Sequence, residues 1–120
     1  MKKFSLLAVI ALGFTFSASA QTKALQVAKI STPTVQCDMC KTRIEQYLKR
    51  IDGVTFVNVG VKKKEVTVKY LTDRTNIEMI KTSIANAGYD AAEIASNPES
   101  YKALPKCCKK PEDGGGMPKN

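Results

Sequence analysis

The spacing of apolar residues changes twice along the central part of the chain, and this change constrains the fold more than any other feature. In two segments the apolar residues recur every three or four positions, which is the spacing of one face of an α-helix. These residues are Cys40, Ile44, Leu48 and Ile51 in the first segment and Ile77, Ile80, Ile84 and Ala87 in the second. Between them, residues 57–61 and 66–70 alternate between apolar and polar on either side of three lysines, which predicts a β-hairpin.

Two further strands complete the predicted sheet. Residues 28–35 are expected to form a strand before the first helix, and the alanine-rich residues 89–95 a short strand after the second. The order strand, helix, strand, strand, helix, strand predicts an α+β fold, the ferredoxin-like βαββαβ sandwich. In that fold two helices cover one face of a four-stranded antiparallel sheet. We expect this domain to occupy residues 21–95.

The residues after the predicted domain, 96–120, have a different composition. Asn97-Pro98-Glu99 is a favourable start for a short helix, which would end before Pro105. The remaining residues are rich in Lys, Pro and Gly and are expected to be mobile. This tail also carries two adjacent cysteines, Cys107 and Cys108.

The first twenty residues have the pattern of a secretory signal peptide. Two lysines precede an apolar run over residues 4–16, and the small residues Ser17-Ala18-Ser19-Ala20 follow it. The apolar run is shorter than the roughly 20 residues that a membrane-spanning helix needs. We therefore expect cleavage after Ala20, a periplasmic or secreted protein, and no stable insertion into the membrane after cleavage.

The composition excludes several classes of function. The chain has no histidine, so the usual general base and the commonest metal ligand are both missing, and no enzymatic activity is expected. Its net charge of +8 falls by two when Lys2 and Lys3 leave with the signal peptide. A nucleic-acid partner is not expected, because aromatic residues are not interleaved with the basic ones. An acidic protein partner remains open, as does a basic surface that serves only solubility.

Cys37 and Cys40 are placed for chemistry, because they span the end of the first predicted strand and the start of the first helix. Two sulfurs three residues apart at this position can converge on one point. The helix N-terminus and the nearby Lys41 and Arg43 favour the thiolate form. A thiolate pair suits soft ions such as Cu(I) and Hg(II), whereas Zn(II) prefers four ligands.

Residues from about Ala28 to Ala95 resemble a heavy-metal-associated domain, the family of copper chaperones, mercuric-ion-binding proteins and N-terminal domains of metal-exporting P-type ATPases. The matching segments are T-V-Q-C-D-M-C at positions 34–40, D-G-V at 52–54 and A-G-Y-D at 87–90. The resemblance implies that Cys37 and Cys40 are the metal ligands and that Tyr89 lies beside the metal. It implies Cu(I) as the ion, with Hg(II) or Zn(II) as alternatives, and a metal-transporting ATPase or another acceptor protein as the partner.

Three side chains of the motif need separate interpretations. The family usually has a methionine where this chain has Val35, which is expected to pack under the loop without contacting the metal. Met39 is expected to point to solvent rather than to act as a third ligand. Asp38 starts the helix, although its carboxylate could help to bind a harder ion such as Zn(II).

Two other functions of the Cys37 and Cys40 pair remain open. The pair could serve a thiol–disulfide redox protein, but the predicted order of elements is not that of thioredoxin and the motif lacks the Trp-Cys-Gly-Pro-Cys surroundings. It could instead form a disulfide in a non-catalytic domain. Such a disulfide would close too short a loop to remove much entropy from the unfolded chain.

The role of Cys107 and Cys108 depends on whether the tail returns to the first pair. In the predicted topology the last strand runs away from Cys37, so the tail must come back along the sheet. Residues 96–106 could extend at most about 35 Å, and a strand is roughly 17–20 Å long. Two hypotheses therefore stay open. In the first, the thiols are idle, oxidised together or linked to another molecule. In the second, they form an auxiliary soft-metal site or supply extra sulfurs to the first pair, which would raise the coordination number toward four and admit Zn(II).

Overall fold

The structure is a computed structural model that describes residues 24–116. The predicted signal peptide, residues 1–20, lies outside the described residues. Among residues 24–116, no helix combines the length and the apolar content needed to cross a membrane.

Three strands and two helices form the central part of the chain in the order β1, α1, β2, β3 and α2. Their bounds are β1 Leu25–Ser31, α1 Asp38–Lys49, β2 Val54–Gly60, β3 Glu65–Leu71 and α2 Ile77–Ala87. The short helix α3, Pro98–Lys102, and two 3-10 turns, Lys106–Cys108 and Pro111–Asp113, follow. Strand β3 is central and pairs antiparallel with both β1 and β2. The predicted α+β class, both long helices and the hairpin are thus confirmed.

The core lies between the helices and one face of the sheet, as the periodicity predicts. The buried aliphatic residues are Ile30 of β1, Val57 and Val59 of β2, Val66 and Val68 of β3, Ile44 and Leu48 of α1, and Ile80 and Ile84 of α2. Burying each of these side chains contributes about 1.5–3 kcal/mol relative to leaving it exposed. This packing fixes the orientation of α1, whose first turn carries Cys40 on the same buried stripe.

The predicted fourth strand at residues 89–95 is not found, and the sheet within residues 24–116 has three strands. The segment forms one bridge of its own, between Ala91 and Ile94, and the Ala92 N–H donates one hydrogen bond to Ser31 O at 2.8 Å. Ala92 has a φ of 51°, a left-handed conformation that interrupts an extended chain. Alanine is depleted in strands because it offers little side-chain packing, so a tight turn competes successfully here.

The first part of the C-terminal segment packs back onto the domain. Helix α3 begins as predicted, and the Asn97 side chain accepts hydrogen bonds from the N–H groups of Glu99 and Ser100. Leu104 is buried against Gly88, which ends α2 with a φ of 108°. A Cβ at Gly88 would lie only 3.0 Å from Leu104 carbons, so glycine permits this close approach.

Candidate metal centre

Cys37 and Cys40 lie where the chain turns from β1 into α1, as the sequence predicts. Cys37 is the N-cap residue of α1 and has an extended backbone, while its carbonyl accepts a hydrogen bond from Lys41 N–H at 3.2 Å. Cys40 occupies the first helical turn. The two Sγ atoms are 3.5 Å apart, and the side chains are 7% and 0% exposed, respectively. The structure thus brings the two predicted residues together in a buried position.

Hydrogen bonds hold the loop that precedes Cys37. Lys64, in the hairpin turn, donates from Nζ to the carbonyl of Val35. Thr34 Oγ1 accepts a hydrogen bond from Asp90 N–H at 3.2 Å, which ties the loop to the segment after α2. Val35 is fully buried, as expected for the residue under the loop. These contacts fix the position from which the Cys37 sulfur meets Cys40.

The C-terminal segment brings two more sulfurs to this pair. Cys37 Sγ lies 3.7 Å from Cys107 Sγ and 3.8 Å from Cys108 Sγ, and the last two sulfurs are 4.0 Å apart. The sulfurs of Cys37, Cys40 and Cys108 all lie within 4.8 Å of one another. All four cysteines are present as thiols. The tail therefore returns to the first pair in this structure.

The return of the tail and the lack of a fourth strand have the same origin. Because the chain turns at Ala92, beside Ser31 at the end of β1, the tail does not start from the far end of the sheet. Asn97 N–H donates to Ala85 O at 2.9 Å, which anchors the start of α3 to α2. Leu104 anchors its end against Gly88. The 3-10 turn that follows, closed by Cys108 N–H to Pro105 O at 2.9 Å, then places Cys108 over Cys37.

Tyr89 lies beside the sulfurs, at the position that the resemblance implies. Its side chain is fully buried, and among residues 24–116 its hydroxyl has no partner with the geometry of a hydrogen bond. The hydroxyl nevertheless lies beside the sulfurs of Cys108 and Cys40. Burial, and after it the Cys108 sulfur, raise the pKa of Tyr89 far above its ordinary value, so the O–H group remains a donor.

Cys108 is a protonated thiol in the metal-free site. Burial is the main cause that raises the pKa of the Cys108 thiol, and the neighbouring Cys40 raises it further, whereas Tyr89 lowers it. Tyrosine acts in this direction because its O–H can donate to a thiolate but gains less from a neutral thiol. An ion that binds Cys108 therefore displaces a proton, and Tyr89 is placed to stabilise the sulfur once it is charged.

Met39 and Cys107 form the outer edge of the cluster. Met39 is 56% exposed, as expected, but its Sδ atom also lies 3.5 Å from Cys107 Sγ. A groove of about 390 Å³ opens beside them, with Met39 and Arg43 on the helix side and Pro105 and Cys108 on the tail side. The neighbouring Asp38 is exposed and is not one of the three mutually close ligand groups. The contact between Met39 and Cys107 was not predicted, because no local pattern signals it.

The donor set determines which ions this centre suits. Cys37, Cys40 and Cys108 offer three soft sulfur atoms, and the chain has no imidazole to add. Thiolates select Cu(I), Zn(II) and Fe–S clusters among biological metals, and a tetrahedral site needs a fourth donor. A buried set of three sulfurs fits a soft ion of low coordination number better than a hard ion such as Mg²⁺ or Ca²⁺.

Comparison with known proteins agrees with this chemistry. A model of the heavy-metal-associated domain matches residues 29–90. The copper chaperone CopZ of Staphylococcus haemolyticus is 34% identical over 61 residues, which cover 51% of this chain and 90% of CopZ. The periplasmic component of the mercuric transport system of Shigella flexneri is 30% identical over 69 residues, covering 58% of this chain and 76% of that protein.

The same fold occurs in a solved structure of a CopZ metallochaperone, with 28% identity and a TM-score of 0.55. The match covers 56% of this chain and the whole of that one. Fold, cysteine cluster and sequence agree on a protein of the metal-binding class. This chain belongs to the heavy-metal-associated domain family.

Proposed function

We propose that this protein binds one soft metal ion through the thiolates of Cys37 and Cys40, and that Cu(I) is its preferred ion. The observation that carries the proposal is the 3.5 Å separation of two buried sulfurs at the N-terminus of α1. Both sulfurs lie at the N-terminus of α1, the positive end of the helix dipole. The pair therefore has both the geometry and the electrostatics of a soft-metal site, with Tyr89 as its neighbour.

Cu(I) is favoured over Hg(II) and Zn(II) for two reasons. The relative of higher identity, CopZ, is named a copper chaperone, whereas the relative named for mercuric transport is 30% identical. Zn(II) requires four ligands, and the buried group of mutually close sulfurs has three members. Hg(II) shares the preference of Cu(I) for few sulfur ligands and is the principal alternative.

The ion would be sequestered or handed on outside the cytoplasm. Residues 1–20 support export, and the Shigella flexneri relative is itself named as a periplasmic component. We propose a metal-transporting ATPase or another metal-binding protein as the acceptor. Transfer would then proceed by thiolate exchange, in which a sulfur of the acceptor bonds to the ion before a cysteine sulfur of this protein leaves. The oxidation state of the ion stays unchanged. Lys41 and Lys49 lie on α1 and could attract an acidic acceptor surface.

No catalytic role is proposed. The three mutually close groups of the site are sulfurs, and the family to which the chain belongs is defined by metal association. The redox alternative finds no support in the relatives, which are named for copper and mercury rather than for thiol–disulfide exchange.

Titration of the reduced protein tests the proposal. We expect the chain from Gln21 onward, kept anaerobic, to bind about one Cu(I) in competition with a Cu(I) chelator, because Cys37 and Cys40 belong to a single cluster. The same titration with Zn(II) should show weaker binding. Failure to remove any Cu(I) from the chelator would contradict the proposal, and an equal preference for Zn(II) would contradict the choice of ion.

A further inference from the structure

We propose that the C-terminal segment, residues 97–113, is a lid that carries a third metal ligand. In the loaded protein the thiolate of Cys108 joins those of Cys37 and Cys40, so that the ion is three-coordinate and covered. This inference rests on the proposed function, because it takes the binding of a soft ion by the first pair as given. We refer to residues 97–113 as the lid.

The distances between the sulfurs fit three ligands better than two. With metal–sulfur bonds of about 2.3 Å, two sulfurs 3.5 Å apart subtend an angle of roughly 100° at the ion, far from the linear arrangement of a two-coordinate site. With the same bond length, three sulfurs around one ion stand about 4.0 Å apart. The separation of Cys37 and Cys108 is 3.8 Å, and all three sulfurs lie within 4.8 Å of one another. Binding therefore requires only small movements.

The two adjacent cysteines of the lid differ in burial, which distinguishes their roles. Cys108 is 1% exposed and faces Cys37 inside the cluster, whereas Cys107 is partly exposed and also contacts Met39 at the surface. An ion held by Cys108 is shielded from water and from competing ligands. Cys107 and Met39 therefore lie at the surface, outside the group of three buried sulfurs.

The environment of the Tyr89 hydroxyl is a second, independent observation, and it supports a charged sulfur at Cys108. It is fully buried near Cys40 and Cys108, and no residue of the described chain offers it a well-formed hydrogen bond. A buried hydroxyl without a partner is unfavourable, so a donor left in this state indicates a missing acceptor. Once Cys108 becomes a thiolate, the O–H group gains an acceptor of negative charge. The loaded, three-thiolate site thus satisfies a donor that the metal-free site leaves without a partner.

The lid has its own contacts, so its position does not depend on the metal alone. Leu104 packs on Gly88, and Asn97 N–H is bonded to Ala85 O. Within the lid, Tyr101 accepts a hydrogen bond from Lys110 N–H at 2.9 Å and donates one to Asp113. These contacts hold the 3-10 turn that carries Cys108 before an ion arrives. A ligand that is already in place loses little conformational entropy on binding.

Protons and charges balance in the binding step. Cu(I) forms three Cu–S bonds, the three S–H bonds break, and three protons pass to solvent while the ion keeps its oxidation state. Three thiolates and one Cu(I) leave two negative charges, which need compensation in a buried site. Compensation comes from the N-terminus of α1 and from the Tyr89 hydroxyl beside Cys108. Release of the ion to an acceptor then requires the lid to move away.

The test compares Cys108→Ser with Cys107→Ser, a matched change one residue away, in the full mature chain loaded with one equivalent of Cu(I). X-ray absorption should give three Cu–S bonds for the unchanged protein and for Cys107→Ser, but two for Cys108→Ser. Loss of an outer-shell partner weakens metal binding about 10- to 100-fold, so loss of a ligand should weaken Cu(I) binding by at least tenfold. Two Cu–S bonds in the unchanged protein, or three in Cys108→Ser, would overturn the inference.

A second measurement needs no substitution and so does not depend on the variants folding. One equivalent of Cu(I) should protect Cys37, Cys40 and Cys108 from alkylation in the unchanged protein, while Cys107 continues to react, as mass spectrometry of the digested chain would show. Protection of Cys37 and Cys40 alone would overturn the lid ligand and leave the proposed function intact. Absence of protection at all four sulfurs would contradict the proposed function as well.

Discussion

Replacing Cys40 with serine is expected to abolish tight Cu(I) binding, and Cys37→Ser should have the same effect. The serine hydroxyl is a hard oxygen donor that does not replace a soft thiolate for Cu(I). The loss should exceed the roughly 10- to 100-fold that removal of an outer-shell partner costs, because a bond to the ion itself is removed. Competition with a Cu(I) chelator under anaerobic conditions measures the change.

Cys107→Ser is the matched control for this experiment. Its sulfur lies 3.7 Å from Cys37 Sγ, so it belongs to the same cluster, but its side chain is partly exposed and faces Met39. We expect this variant to retain Cu(I) affinity close to that of the unchanged protein. If Cys37→Ser or Cys40→Ser binds Cu(I) with unchanged affinity, the assignment of the ligands is wrong.

Leu104→Ala is expected to release the lid. The Leu104 side chain is 5% exposed, and truncation of a buried leucine costs about 2–5 kcal/mol. Since Leu104 joins the lid to Gly88, this loss should favour opening of the lid over unfolding of the sheet and helices. Each 1.4 kcal/mol changes an equilibrium constant tenfold. The alkylation rate of Cys108 in the metal-free protein should therefore rise by more than about tenfold.

Leu25→Ala provides the same chemical change at an exposed position. Leu25 begins β1 and is 53% exposed, so its truncation should leave both the stability and the alkylation rate of Cys108 nearly unchanged. If Cys108 is alkylated at the same rate in Leu104→Ala as in the Leu25→Ala control, then Leu104 does not hold the lid in place.

The central fold and the first cysteine pair were predictable because they depend on local patterns. The apolar stripes of α1 and α2 and the alternation around the lysine turn each follow from residues close in sequence. Cys37 and Cys40 are also close in sequence, and their position at a strand-to-helix junction brings their sulfurs together in any fold with this order of elements. Gly88, placed after the last apolar residue of α2, ends that helix in the left-handed conformation that glycine favours.

The segment after Tyr89 was not predictable, because its alternatives differ little in local energy. Alanines 91, 92 and 95 offer a strand little side-chain packing, and the left-handed Ala92 depends on contacts made elsewhere. The path of the tail follows from that turn, so the approach of Cys108 to Cys37 could be stated only as one of two hypotheses. Which of the two adjacent cysteines faces inward depends on Leu104 and Gly88, whose contact no periodicity reveals.

Metal analysis of the protein isolated anaerobically from its native compartment tests Cu(I) binding by Cys37 and Cys40 most directly. We expect a chain that begins at Gln21 and carries about one copper per molecule, and we expect copper to be lost when both cysteines are replaced by serine. Isolation of the unchanged protein without copper, and with Cys37 and Cys40 joined in a disulfide, would contradict the proposed function.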